Sequence, residues 1–308
     1  MNLEQLKGFI AVAELGHFTR ASERLHLAQP SLSRQIATLE QELGADLFHR
    51  ARGNISLTAA GETLLPRARR MLSDADAIRS EMAELAGLQR GRVRLGAAPT
   101  LCISLVPEVL RAFHTANPGI ELQLVEGGSN LLIDQLAAGA VDMAVITMSE
   151  ARSASGAALV RTPLLTEELV VVSSADEPPI APSSIDLRRL SELPLVALAR
   201  SYVLRSVTDA AFEAAGLTPF LVVEGAEMDA VLRFVERGLG VAVVPATVPV
   251  DRPSLRSVRL TDPQLERTIV LAHRSDVSPT RAAEAMRAVI VHTAGYLAAR
   301  SPETLHPA

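Results

Sequence analysis

The stretch Gln29-Pro30-Ser31-Leu32-Ser33-Arg34-Gln35-Ile36-Ala37-Thr38-Leu39 reads as a helix with two unlike faces. Leu32, Ile36 and Leu39, continued by Leu43, are spaced 4, 3 and 4 apart, the period of a helix that buries one side. Pro30 falls in the first turn, where its missing N–H costs little. The other positions, Gln29, Ser31, Ser33, Arg34, Gln35 and Thr38, carry short or fork-shaped hydrogen-bonding side chains and point to solvent. A merely solvated face more often carries Glu and Lys, whereas groups of this kind can read base edges in a major groove. A plain polar surface helix is the competing reading.

The flanks favour the first reading. Upstream, Asn2 and Gln5 form a capping-box pair ahead of Leu3, Leu6, Ile10 and Ala13, and Gly16 ends that helix. Thr19 is the expected cap of a short second helix through Ala21 and Leu25, with a tight turn at Leu27-Ala28. Downstream, residues 46–57 hold two short alternating runs around Gly53-Asn54, a hairpin signal with Arg50 and Arg52 at its tip. Three helices and such a hairpin make a winged helix-turn-helix. Its arginine-tipped wing would lie near phosphates or a minor groove.

Beyond Thr58 the positions Leu64, Ala68, Met71, Ala75, Ile78, Met82 and Leu85 alternate spacings of 4 and 3, three full heptads. An isolated helix cannot bury such a stripe, so the spacing predicts pairing with a second copy of itself. Packing on its own domain is the alternative. Pro66 predicts a kink or an early break, and Gly87 and Gly91 a hinge.

From Arg92 short apolar runs alternate with helical stretches, the texture of βαβ units around a mostly parallel sheet. The expected organisation is residues 1–58 as a DNA-binding domain, 59–90 as a linker helix and 91–308 as a ligand-binding domain. The last divides into subdomain I, about 91–162 and 268–308, and subdomain II, about 163–267. The chain crosses between them near 162–169 and 265–268. Ligands of parallel sheets sit at the carboxyl ends of strands, beside helix N-termini. That rule selects Pro99, Thr100, Leu101 and Cys102, then Ser129, then Thr147, and in subdomain II Ser201, Tyr202, Glu227 and Met228.

Composition excludes some classes and leaves others. The net charge is −5, and residues 1–90 carry 11 basic against 11 acidic side chains, so only local positive charge can serve nucleic acid. No signal peptide is read at the N-terminus, and no apolar run nears the roughly 18 residues of a membrane span. With a single cysteine, Cys102, this gives a cytoplasmic expectation. A disulfide-type redox sensor needs a second thiol. No Gly-x-Ser-x-Gly elbow, His-Glu-x-x-His or phosphate-binding glycine loop occurs, so no catalytic residue, metal ligand or cofactor is assigned. A free-standing solute-binding protein would leave residues 1–60 without a purpose.

Phe9 through Gly44, then Leu47-Phe48-His49-Arg50 and Leu57-Thr58-Ala59-Ala60-Gly61, resemble the N-terminal domain of the LysR-type transcriptional regulators without a gap. The resemblance continues through Gly91 to Gly96, Pro118 to Leu122, Leu136 to Gly139, Val141 to Ala144 and Val235 to Pro245. It implies an α+β chain: a winged helix-turn-helix, a coiled-coil linker helix, and an effector domain of two Rossmann-like subdomains like a periplasmic binding protein. It further implies that Gln29, Pro30, Ser33 and Arg34 approach bases, Thr19 contacts phosphate and Arg50 enters the minor groove. Effectors would bind at Thr100, Ser129, Thr147, Ser201 and Glu227. The implied partners are double-stranded DNA at a pseudo-palindromic promoter site, a carboxylate or amino acid, further copies of the chain in dimers and tetramers, and RNA polymerase as a candidate.

Overall fold

The computed structural model describes residues 1–51, 54–85, 91–148, 158–200 and 202–308. Arg52, Gly53, Gly87 and Ser201, all singled out above, lie outside the described residues, as do the side chains of Arg50 and Leu85.

Helix α1 (Leu3–Leu15) starts on the expected capping box. Asn2 Oδ1 accepts the Gln5 N–H at 2.9 Å, and Gln5 Oε1 accepts the Asn2 N–H at 2.7 Å. Gly16, in the left-handed region at φ +61, closes it. Helix α2 (Phe18–Arg24) is capped by His17 rather than Thr19: the helix begins two residues earlier, and the imidazole Nδ1 accepts the Thr19 N–H at 3.2 Å. In α3 (Gln29–Leu43) Leu32, Ile36 and Leu39 are fully buried against Leu6, Phe9 and Val12. Leu43 departs from the stripe; as the last residue of α3 it reaches past this core and is exposed. The wing is an antiparallel pair, β1 (Phe48–Ala51) and β2 (Asn54–Leu57), with Phe48 opposite Leu57 and Ala51 opposite Asn54. Phe48 anchors it, its ring centroid 5.4 Å from Phe9 and 6.0 Å from Phe18.

Helix α4 (Ala59–Leu85) runs through Pro66, so the expected break does not occur. Proline removes one N–H donor there, and the helix continues on both sides of it. Thr58 Oγ1 receives the Gly61 N–H at 3.1 Å at its start. The heptad stripe is divided between two surroundings. Leu64 and Ala68, with Leu65 and Leu72, complete the helix-turn-helix core, while Met71, Ile78 and Met82 are exposed.

The larger half begins with β3 (Gly91–Ala97), flanked in parallel by β4 (Ile120–Glu126) and β5 (Met143–Thr147). Two helices follow β3: α5 (Pro99–Cys102) and α6 (Leu105–Ala116), with a turn at Ile103-Ser104. Helix α7 (Ser129–Ala137) follows β4. The 16-residue β6 (Leu159–Ser174) then leads out of subdomain I. Subdomain II contains β7 (Ser184–Asp186), α8 (Leu187–Ser191), β8 (Leu195–Leu198), α9 (Val203–Ala214), β9 (Leu221–Ala226), α10 (Met228–Glu236), β10 (Ala242–Pro245) and β11 (Leu255–Thr261). Strand β12 (Glu266–Arg274) returns to subdomain I, where α11 (Arg281–Arg300) and β13 (Leu305–Pro307) finish the chain.

The sheet is more mixed than expected. β4-β3-β5 and β8-β9 are parallel, but β12 runs antiparallel to both β5 and β6, and β10 and β11 lie antiparallel along β6. β6 and β12 are therefore a two-stranded spine shared by the subdomains. The segments read as crossings, 162–169 and 265–268, are interior to or at the head of those strands. A chain leaving a parallel sheet and coming back beside its own exit must pair antiparallel with itself.

Candidate functional site

The selected residues that are described fall on two surfaces. On α3, Gln29, Pro30, Ser31, Arg34 and Thr38 are exposed, above an apolar side locked against α1. Ala28 supplies no side-chain cap; its carbonyl accepts the Ser31 and Leu32 N–H groups at 2.9 and 3.2 Å, and Pro30 has no N–H to offer. Gln35 differs from expectation. It is turned partly inward, with Oε1 buried against α1 where Gly8 leaves room. Ser33 is half-buried. Thr19 sits in the first turn of α2 and is exposed.

The second surface is the cleft where subdomain I meets subdomain II. Thr100 lies in the first turn of α5 and Ser129 is the first residue of α7, each at the carboxyl end of a parallel strand. Both are buried; Ser129 Oγ is 3.5 Å from Thr147 Oγ1. From subdomain II come Tyr202 and Glu227, the caps of α9 and α10, joined by a hydrogen bond from the Tyr202 hydroxyl to Glu227 Oε2. Burial, followed by that bond, pushes the phenol up to about 12. Glu126, at the end of β4, adds its negative charge to the causes that raise this phenol and the Cys102 thiol. Leu101 and Met228 are packed in the core instead of facing the cleft, because each lies on the inward side of its first helical turn.

Cys102 is half-buried, its thiol 3.8 Å from the Ala97 carbonyl oxygen and pushed up to about 12, chiefly by burial and then by Glu126. A thiol so held stays protonated and a poor nucleophile.

Several residues of the cleft floor escaped the sequence reading. Arg267 donates from a terminal guanidinium nitrogen to Thr100 Oγ1 at 2.9 Å and from Nε to Glu167 Oε1 at 2.8 Å. The other oxygen of Glu167 receives the N–H and hydroxyl of Thr247 at 3.1 and 2.7 Å. A continuous chain of bonds thus links α5 of subdomain I to subdomain II through the spine. Its signal was present in the sequence: Glu167 interrupts an apolar run and Arg267 opens another, at the two crossings.

Among the described residues no group of side chains has the arrangement of a metal site, and no helix is long and apolar enough to cross a membrane.

Comparison with known proteins follows this division. Residues 3–62 match the bacterial regulatory helix-turn-helix protein, lysR family, and residues 86–295 match the LysR substrate binding domain. The HTH-type transcriptional regulator IlvR of Caulobacter vibrioides is 34% identical over 283 residues, 91% of this chain and 95% of that protein. A full-length OxyR variant from Pseudomonas aeruginosa superposes with a TM-score of 0.70 at 29% identity, covering 94% of this chain and 98% of that one. Full-length CbnR, solved in complex with its target DNA, superposes with a TM-score of 0.67 at 25% identity, covering 96% and 99%.

Proposed function

This chain belongs to the LysR family of DNA-binding transcriptional regulators with an effector-binding domain, and from that premise we propose how its residues divide the work. Residues 1–58 bind promoter DNA, 59–90 pair with a second copy, and 91–308 sense a small molecule. The helix α3 face of Gln29, Pro30, Ser31, Ser33 and Arg34 enters a major groove. Thr19 contacts phosphate, Gln35 supports the face from its edge, and Arg50 and Arg52 extend the contact from the wing. Exposed Met71, Ile78 and Met82, with Ala75, support the pairing of α4. Two-fold pairing presents two reading heads to a pseudo-palindromic site. Dimers join into tetramers, and the regulator works in the cytoplasm.

The effector occupies the cleft. The observations that support this reading are two polar groups at strand ends and helix starts: Thr100 bonded to Arg267 with Ser129 beside Thr147 in subdomain I, and Tyr202 bonded to Glu227 in subdomain II. Hydroxyls, helix N-termini and a guanidinium suit a carboxylate. Glu227, held by the Tyr202 hydroxyl, suits an amino group. The ligand class is therefore an amino acid, or another molecule joining a carboxylate to a cationic group. Binding draws the subdomains together on the β6/β12 spine and alters the spacing of the paired heads.

Thermal melts of the full-length protein against amino acids and the matching acids without an amino group test this. The effector stabilises the folded state by about 2.7 kcal/mol at a hundredfold excess over Kd, so the melting temperature rises with concentration. Thr100→Val removes the rise. A rise that survives Thr100→Val, or none with any member of the panel, overturns the reading.

A further inference from the structure

Helix α4 has a second working face. Met71, Ala75, Ile78 and Met82 lie along one side, while Ser73, Asp76 and Ala77 lie roughly half a turn round the axis at 3.6 residues per turn. That second side packs on β3 of subdomain I. Approach is closest at Gly139, where an added Cβ would lie 3.4 Å from both Arg70 Cα and Ser73 Cβ. Polar bonds clamp the joint: Arg70 to Asp276 at 2.7 Å, Arg94 to Ser73 Oγ at 2.7 Å, and Arg92 to Asp76.

Between these clamps the surfaces part around a cavity of about 270 Å³. It is separate from the cleft, sharing none of the cleft residues named above. Part of its wall is apolar, built from Ala77, Val141, Met143, Leu271 and Ala283. The charged part holds five arginines against four carboxylates. Arg79 and Arg92 both bond the single carboxylate of Asp76, so their ten N–H groups outnumber the acceptor sites that carboxylate offers. A planar guanidinium with spare donors matches a carboxylate or sulfonate head.

We infer that this cavity is a second ligand site, which takes a small organic anion with an apolar body. The head sits at Arg79 and Arg92, and the body lies against Met143, Leu271 and Ala283. The volume is near the lower end of ligand sites, roughly 300–1,000 Å³, which suits a compact molecule. An occupant touches α4 and subdomain I together, so it strengthens the joint between linker and sensing domain. Pairing of α4 through the stripe leaves Ser73, Asp76 and Ala77 clear, with Arg79 at the edge of the stripe, about 100° round the axis from Ile78. The site thus acts on the linker independently of the cleft.

The test is calorimetric titration of the full-length protein with 2-naphthoate, using neutral naphthalene-2-methanol as the control. One anion binds per chain and the alcohol does not. Arg79→Ala, at an exposed position, and Ala283→Leu, which fills the cavity, each weaken binding by about tenfold, the loss of a charge-assisted bond or of the apolar seat. Thr100→Val leaves it unchanged. Hydrogen exchange slows at α4 residues 70–78 and in β3 when the anion is bound. Absence of saturable binding, equal affinity in Arg79→Ala, or loss of binding in Thr100→Val overturns the inference. The last outcome places the anion in the cleft and leaves the effector reading standing.

Discussion

Glu167 on β6 stands opposite Arg267 on β12 at one rung of the antiparallel spine, and their side chains close an ion pair at 2.6 Å with Glu167 wholly buried. Both carboxylate oxygens are occupied, one by Arg267 and one by Thr247. The pair is set where the chain passes between subdomains and within reach of Thr100, so one charge relation joins the hinge to the proposed ligand site.

Removing one partner leaves the other charged and buried, which costs roughly 3–5 kcal/mol. Arg267→Met is therefore expected to lower the melting temperature strongly. Adding Glu167→Leu to it restores most of the loss, because no charge is then stranded. Urea denaturation of the two single variants and the double variant measures the coupling. Additive effects would remove the hinge role assigned to the pair.

Arg34 is exposed on α3, so Arg34→Ala should move stability by no more than about 0.5 kcal/mol. Its affinity for a specific promoter fragment should fall by about tenfold, as loss of a base contact worth ~1–3 kcal/mol requires. Fluorescence anisotropy at fixed salt, with unrelated DNA as the control, reads this. An unchanged ratio of specific to non-specific affinity would remove Arg34 from base recognition.

Ile78 is 59% exposed along the α4 stripe. Ile78→Glu places a charge where a second helix would pack, and sedimentation should show a smaller particle with unaltered helix content. Persistence of the parental mass would move the pairing surface elsewhere.

The Cys102 thiol, held near 12 against an ordinary 9.0, has about a thousandfold smaller thiolate fraction at pH 8 than a free cysteine. Reaction with a disulfide reagent should be correspondingly slow in the folded protein and ordinary in urea. The sign for stability is fixed as well. Between about pH 9 and 12 the unfolded chain loses this proton while the folded chain keeps it, so the Cys102 contribution to stability falls as pH rises through that window. Fast labelling at neutral pH would show a reactive cysteine.

Most of the N-terminal unit was legible because its determinants are local. The Asn2–Gln5 box, the Gly16 stop and the Leu32, Ile36, Leu39 stripe lie within a few residues of one another, and helix geometry alone brings them together. Thr19 was misread as a cap because the helix already starts at Phe18, which places Thr19 inside the first turn, where its own N–H is the one that His17 Nδ1 accepts. In the sensing half, strand ends and helix starts were enough to select Thr100, Ser129, Tyr202 and Glu227. They did not disclose Arg267, whose partner lies a hundred residues away.

What the sequence by itself determined was the identity of the elements and the family, since periodicity, caps and turn residues act over one or two turns of chain. Only the tertiary structure decided which part of the α4 stripe is spent on the chain's own core and which is left for a partner. It alone set the β6/β12 register that brings Glu167 to Arg267 and the meeting of α4 with subdomain I. These depend on contacts between residues distant in sequence, and their geometry exists only once the intervening chain has folded.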